Sequence, residues 1–357
     1  MKHFRIALTL MAALAFGLSA HAQYVTSHAK ITMPGQQNGL YYALPRTVIQ
    51  LDLIIEEVES IEGPYSEYVH LVGADEYVES DGIEYYLSEV KMSTYAEPDP
   101  NATFFVAMNA KKGDAAGFYL TSKGILASVG VAPNTPPCSP LPTLNSQPST
   151  PNSPDRTFKY QYSSGAIRGE EQLARSAAEM INRIREEKIK LITGFQETAF
   201  ALDTYRQMLA DLDAMENEYL SLFIGKTIVT TSVKTVYVTP SKEVTTQTIG
   251  KFSTTDGFTT DLSGKGNTIT FQAFSLNTTG NINEPSPSAV ESLSHENKLF
   301  YRIPETANVK VTMGNEVLVE QRESIAQYGV FMLAPLGKTK LTLDPNTGQI
   351  TSMGMKL

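Results

Sequence analysis

The sequence predicts an α+β chain, predominantly β, in which two sandwich-like β-rich units are joined by a central two-helix hairpin. Runs of β-branched and aromatic residues alternate with turn residues over 41–131, and the same pattern returns after Lys226. Between them, apolar residues over 173–223 recur at spacings of three, four and seven. A stretch at 133–155 with eight prolines separates the first β pattern from the helical one. The expected organisation is a leader at 1–22, an acidic β-rich domain at 23–132 and a Pro/Ser-rich linker or loop at 133–156. The helical hairpin follows at 157–226 and a second β-rich domain at 227–357.

The N-terminus reads as an export leader. Lys2, His3 and Arg5 precede the apolar run 6–18, and Ala20-His21-Ala22 offers the small-x-small pattern that signal peptidases cut, so the mature chain is expected to begin at Gln23. The run is too short to cross a bilayer comfortably, and no later stretch approaches the roughly 18–20 uncharged residues of a membrane helix. A bacterial lipoprotein needs a cysteine directly after the cut, whereas the single cysteine is Cys138. Neither a transmembrane segment nor a lipid anchor is therefore expected. One cysteine makes no internal disulfide, and Thr135-Pro136-Pro137-Cys138-Ser139-Pro140 offers neither a helix terminus nor basic neighbours to activate the thiol.

In the first β unit, strands are expected at 47–58, 84–92, 103–109 and 117–127. Residues 51–100 carry 14 acidic side chains against one basic, Lys91, which makes one face strongly negative. Asp75, Glu76, Glu79, Asp81 and Glu84 are the candidate cation ligands here, because hard cations want clustered carboxylates. They lack the Asp/Asn-x-Asp/Asn-Gly rhythm of an EF-hand loop, and strand alternation would split them between two faces, so a solvated face is the expected reading.

The prolines of 133–155 are interspersed with Ser, Thr and Asn, a composition that buries too little apolar area to order itself. Beyond it, Leu173, Ala177, Ile181, Ile184 and Leu191 mark one amphipathic helix with Gly194 as C-cap. A second is expected from an N-cap at Asp203 to a C-cap at Gly225, with Met208, Leu209, Leu212, Met215, Tyr219, Leu222 and Phe223 on one face. The two stripes should pack on each other and on a sheet. In the second β unit, strands are expected at 227–233, 236–238 and 268–271, the last fed by a turn at 263–267, and 277–288 reads as a mobile loop. Two hairpins follow, 309–312 with 317–320 around Gly314-Asn315, and 341–343 with 349–351 around 344–348.

A short echo links the β units: Asn38-Gly39-Leu40-Tyr41-Tyr42-Ala43-Leu44-Pro45 against Asn297-Lys298-Leu299-Phe300-Tyr301-Arg302-Ile303-Pro304, with Thr47 and Thr306 also aligned. It suggests two related units that each open with an aromatic strand ending at proline. Alternation places one member of each aromatic pair, Tyr41/Tyr42 and Phe300/Tyr301, in the core.

These segments, with Ile184-Arg185-Glu186, Leu191-Ile192-Thr193-Gly194, Leu212-Asp213-Ala214-Met215-Glu216 and Ile325-Ala326-Gln327-Tyr328-Gly329-Val330, resemble a family of secreted proteins of unknown function from Bacteroidota. The resemblance covers most of the mature chain. It implies export and a common architecture and brings no activity or catalytic residue with it; the Pro-rich stretch reads as a local elaboration.

Function is approached mainly by exclusion. Without the leader the chain carries 27 basic and 38 acidic residues, and a net negative surface disfavours nucleic acid and anionic membranes as partners. Gly225-Lys226-Thr227 imitates the end of a phosphate-binding loop, but position 220 is Leu and a helix precedes where a strand is required. The mature histidines, His28, His70 and His295, have no ligand-like spacing to one another or to Cys138. No Gly-x-Ser-x-Gly elbow occurs. Thus no catalytic, metal-binding or cofactor-binding residue is assigned and no cofactor is expected. The expected function is that of an exported, noncatalytic envelope protein with a structural or adaptor role, its partners other envelope proteins. The alternative is a glycan-binding or glycan-hydrolysing protein of the periplasm or cell surface, since carboxylate pairs abound, although tryptophan is absent and 17 tyrosines would have to supply the stacking faces. The third reading is a surface adhesin, suggested by the Ser/Thr-rich region 241–290.

Overall fold

The computed structural model describes residues 24–31, 38–108, 117–132, 155–160, 169–193, 201–283, 285–292, 294–337 and 339–355. The leader at 1–22, Cys138, Gly194 and the Pro-rich stretch up to Pro154 lie outside these residues. Before the helices come β1 (Tyr24–His28), β2 (Gly39–Ile61), β3 (Gly82–Met108), β4 (Phe118–Leu120) and β5 (Leu126–Val129). Two helices follow, α1 (Glu170–Thr193) and α2 (Leu202–Ile224). Then come β6 (Lys226–Val238), β7 (Thr246–Ser253), β8 (Gly257–Thr259), β9 (Asn267–Ser275), the short helix α3 (Pro287–Ser292) and β10 (His295–Glu296). The chain closes with β11 (Lys298–Met313), β12 (Glu316–Pro335), β13 (Thr339–Leu343) and β14 (Ile350–Met355).

The class is α+β and mainly β, with the helical pair in the middle, as expected. The strands form three sheets: I in the order β10-β1-β3-β2-β6, II in the order β12-β11-β9-β7-β8, and III in the order β14-β13-β5-β4. Sheets I and III each draw strands from both sides of the helical pair, so the two β-rich stretches of sequence interleave in space. All strand pairings within the sheets are antiparallel, so the interleaving needs no crossover helix.

Period-2 alternation in β2 puts Ile49, Leu51, Leu53 and Ile55 on one face. They are buried against Ile269, Phe271 and Ala273 of β9 and Val309 and Val311 of β11, which makes sheets I and II a sandwich. Each buried aliphatic of this kind contributes roughly 1.5–3 kcal/mol. A second core lies at the other end of the same strands. There Tyr42 and Leu44 of β2, Phe104 and Val106 of β3, and Leu299 and Phe300 of β11 meet Leu126, Val129, Leu341 and Leu343 of sheet III.

The third core belongs to the helices. Leu173, Ala174, Ala177, Ala178, Ile181 and Ile184 of α1 close on Tyr219, Leu222 and Phe223 of α2 and on Tyr65, beside the 3-10 turn Ser66–Leu71. The apolar stripes thus pack on each other and on the β2–β3 connection, where the face of a sheet was expected. Glu216 of α2 ties the helices together, 2.6 Å from Arg185 Nε and 2.5 Å from Lys188 Nζ. Gly225 ends α2 as expected: its φ is 80°, and a Cβ there would lie 2.4 Å from the Ile61 carbonyl. Asp203 is not the N-cap. That position is Ala201, which makes no side-chain cap, and Asp203 lies in the first turn, where a carboxylate still complements the helix dipole.

Several expected strands merge. The stretches at 84–92 and 103–109 belong to the single strand β3 as far as Met108, and those at 227–233 and 236–238 are both β6. The two C-terminal hairpins form where expected, as β11–β12 and β13–β14. The region expected as a loop at 277–288 holds turns and the start of α3.

Candidate functional site

The echo segments meet in space, and a cluster of buried polar side chains lies where they meet. Neither strand ends at its proline. Ala43 pairs with Thr103 but Pro45 pairs with Pro98, so two steps along β2 face five along β3. Ile303 pairs with Val330 but Glu305 pairs with Ile325, again two steps against five. Pro45 and Pro304 therefore sit at breaks in long ladders, where a residue without an N–H costs nothing. Each break bulges a short segment, 99–102 in β3 and 326–329 in β12, whose main-chain groups must find other partners.

Near the breaks, side chains of each hairpin reach polar groups of the other. Arg302 of β11 is 4 % exposed and Asp99 of β3 is 5 % exposed. The guanidinium donates to the Pro45 carbonyl at 2.6 Å and to Asp99 Oδ2 at 2.9 Å, and its Cζ lies 4.8 Å from the Phe331 ring centre. The other carboxylate oxygen of Asp99 accepts the Asn101 N–H at 2.9 Å. Burial pulls the Arg302 pKa below its usual value, and the charge and hydrogen bond of Asp99 oppose that.

Gln327, in the β12 bulge, imitates a strand. Its Oε1 accepts the Thr47 N–H at 2.8 Å, and its Nε2 donates to the Thr47 carbonyl at 2.9 Å and to the Pro240 carbonyl at 3.0 Å. Thr47 reciprocates: its hydroxyl accepts the Ala326 N–H at 2.9 Å and donates to the Ser324 carbonyl at 3.3 Å. The Tyr42 hydroxyl accepts the Phe300 N–H at 3.1 Å and donates to the Phe300 carbonyl at 3.2 Å. Burial raises its pKa well above the usual tyrosine value. At Gly329 a Cβ would lie 1.8 Å from the Ile303 carbonyl, so only glycine lets β12 approach β11 at this point.

Glu305 lies just past the second break. Its carboxylate accepts the backbone N–H and the hydroxyl of both Thr278 and Thr279, at 2.5–2.9 Å. Burial alone would raise its pKa; the four donors outweigh burial and hold it at about 2.

The arrangement joins two kinked hairpins. Arg302, Asp99, Gln327 and Thr47 direct their polar atoms at main-chain groups or at one another, and Glu305 takes the N–H and hydroxyl groups of Thr278 and Thr279. What they do chemically is satisfy buried donors and acceptors, each of which would otherwise cost about 1–3 kcal/mol.

Of the aromatic pairs, Tyr42 and Phe300 are buried, while Tyr41 is exposed and Tyr301 partly so. The inward members differ by one place in the echo because both ladders break one residue out of step with it, at Leu44 and Pro304. Phe104 stacks on both, its ring centre 5.6 Å from Tyr42 and 4.5 Å from Phe300. His28 packs edge-on against Phe104 and His295 edge-on against Phe300, so two stacked rings stand between these histidines. His28 Nε2 lies 3.0 Å from the Asn101 carbonyl, and its Nδ1 accepts the Lys30 N–H, which together place the ring proton on Nε2. His70 is exposed, in the 3-10 turn Ser66–Leu71.

The candidate cation ligands do not converge. Asp81 accepts the Glu62 N–H at 2.7 Å, Glu84 accepts the Tyr86 hydroxyl, and no group of three or more metal-ligating side chains occurs among the described residues. Lys226 donates to the Thr157 carbonyl at 2.8 Å and lies over the Phe158 ring, which fastens 155–160 to the base of β6. No helix among the described residues is long and apolar enough to cross a membrane.

The one sequence signal for this seam is parity: Arg302 stands two residues from Phe300, on the core-facing phase of an otherwise apolar run. Nothing in the sequence pairs it with Asp99, 203 positions away. No curated protein and no solved structure matches the chain. The family model for a domain of unknown function, DUF4831, matches residues 38–351, a span that holds both kinked hairpins and the helical pair, and the chain belongs to that family.

Proposed function

We propose that this is an exported, noncatalytic protein of the bacterial cell envelope that acts through protein contacts, as a structural or adaptor component. The observation that carries this reading is the helical hairpin. Its core closes on residues 65–72 and 158–160, apart from the two sandwich cores, and presents two helices of 24 and 23 residues as contact surface. Ile189, Ile192 and Leu202, at the end of the hairpin away from Gly225, are each more than 60 % exposed. Single exposed apolar residues are ordinary, but three at one tip suit a protein contact. The leader pattern at 1–22 and the resemblance to secreted proteins of Bacteroidota support the location.

The test is crosslinking in intact cells of the native host, followed by mass spectrometry of what a tagged chain retains in periplasmic and outer-membrane fractions. Reproducible envelope partners are expected. Recovery as a free monomer with no enriched partner would sink the reading and turn attention to glycan arrays.

A further inference from the structure

An unpaired strand edge is a template for another chain, and monomeric proteins blunt such edges by shortening, bulging or charging them. Among the described residues, five of the six sheet edges are treated this way. β10, β8 and β4 have two or three residues, and β14 has six with a register shift beside it. β12 carries Glu316, Glu320, Arg322 and Glu323, then bulges against β2. β6 is the exception. Its 13 residues pair with β2 without a register shift, and no described strand pairs with its other edge. Thr227, Val229, Thr231, Thr235 and Tyr237 are exposed, side chains suited to a sheet, and Lys226 is held at the strand end by Glu218 and Thr157. Lys234 is its one other charge.

We propose that the outer edge of β6 takes up an extended, basic segment of a partner protein as a sixth strand of sheet I; this rests on the protein-contact function above. The basic character follows from Glu56 and Glu84. Glu56 pairs across to Thr231 on one side and Tyr86 on the other, and Glu84 lies opposite Val58, the neighbour of Val229. Neither carboxylate has a cation among the described residues. A strand added outside β6 would run about 10 Å from β2, two interstrand spacings, within reach of a Lys or Arg side chain leaning over Thr231. A second copy of the chain is disfavoured, because it would set two strongly acidic chains against each other.

The test uses the full chain and two synthetic nonapeptides of alternating Lys and Val, identical except that one carries N-methyl groups that block strand hydrogen bonds. Hydrogen exchange read by mass spectrometry should show the unmethylated peptide slowing exchange across 227–235, and the methylated one leaving it unchanged. Glu56→Gln should weaken the unmethylated peptide about two- to fivefold, the size of a cross-strand charge pair. Failure of the peptide to bind, equal protection by both peptides, protection outside β6, or protection of β6 that grows with protein concentration alone would each overturn the proposal. In cells, a photo-crosslinker at Val229 should capture a partner through a Lys/Arg-bearing segment. Capture from a crosslinker at Ile192 but not at Val229 would overturn this edge and leave the protein-contact function standing. Capture from neither would remove both.

Discussion

The two long hairpins, β2–β3 and β11–β12, break their ladders alike, two steps against five beside a proline, yet the chemistry at the two breaks is opposite. The first offers Asp99 and the Pro45 carbonyl as acceptors; the second brings the Arg302 guanidinium and the Gln327 amide. In the sequence echo Arg302 stands where the first unit has Ala43, and Glu305 stands where it has Arg46. Arg46 remains partly exposed beside Glu97, while Glu305 is 2 % exposed and saturated by two threonines. Two similar hairpins crossed in one core leave two sets of broken main-chain groups, and divergence into a donor-rich and an acceptor-rich member lets each satisfy the other.

The sharpest way to break this complementarity is Arg302→Ala, which strands Asp99 in the interior and should cost about 3–5 kcal/mol in urea unfolding. The double variant Arg302→Met with Asp99→Leu should recover most of that loss. A double variant as unstable as the single one would show that the pair does more than neutralise itself.

Glu305 gives the next largest effect and a pH signature. Its pKa of about 2 in the folded chain lies below the ordinary glutamate value of 4.5. The stability it contributes is therefore fully present above the ordinary value and is lost as pH falls through about 2. Glu305→Gln should remove up to about 3 kcal/mol at neutral pH and flatten the stability profile between pH 5 and 2. A variant profile as steep as the wild type would assign the acid dependence to other carboxylates.

Gln327→Ala should cost about 2 kcal/mol, because it orphans the Thr47 N–H and carbonyl together. Faster exchange of the Thr47 amide, with no change at Leu53, would localise the effect to the seam. The smallest expected change is Tyr42→Phe, about 1 kcal/mol from losing one hydroxyl shared by the two Phe300 groups. A cost as large as that of Arg302→Ala would mean that the Tyr42 hydroxyl joins the hairpins as strongly as the ion pair does.

Much of the local structure was legible. The 3.6-residue spacing of Leu173, Ala177, Ile181 and Ile184 marked α1, Gly225 marked the end of α2, and Gly314 marked the β11–β12 turn. Asp203 misled because capping preference is a property of residue type, and here Ala201 takes the cap position one residue before the helix begins. Pro45 and Pro304 misled as strand ends because a bulge tolerates proline as well as an end does. The seam itself was hidden. Thr47 and Gln327 are ordinary polar residues until a partner 280 positions away supplies the other half of the bridge.

Local periodicity and turn chemistry by themselves determined the class of the fold, the helical hairpin, the two C-terminal β-hairpins and the rule that one aromatic of each pair faces inward. These depend on interactions within a few residues, which a sequence displays directly. Only the tertiary structure decided that β4 and β5 join β13 and β14, that Arg302 meets Asp99, and that no described strand pairs with the outer edge of β6. Those outcomes depend on which of many compatible strands lie side by side, and that choice is made by burial of the whole chain at once.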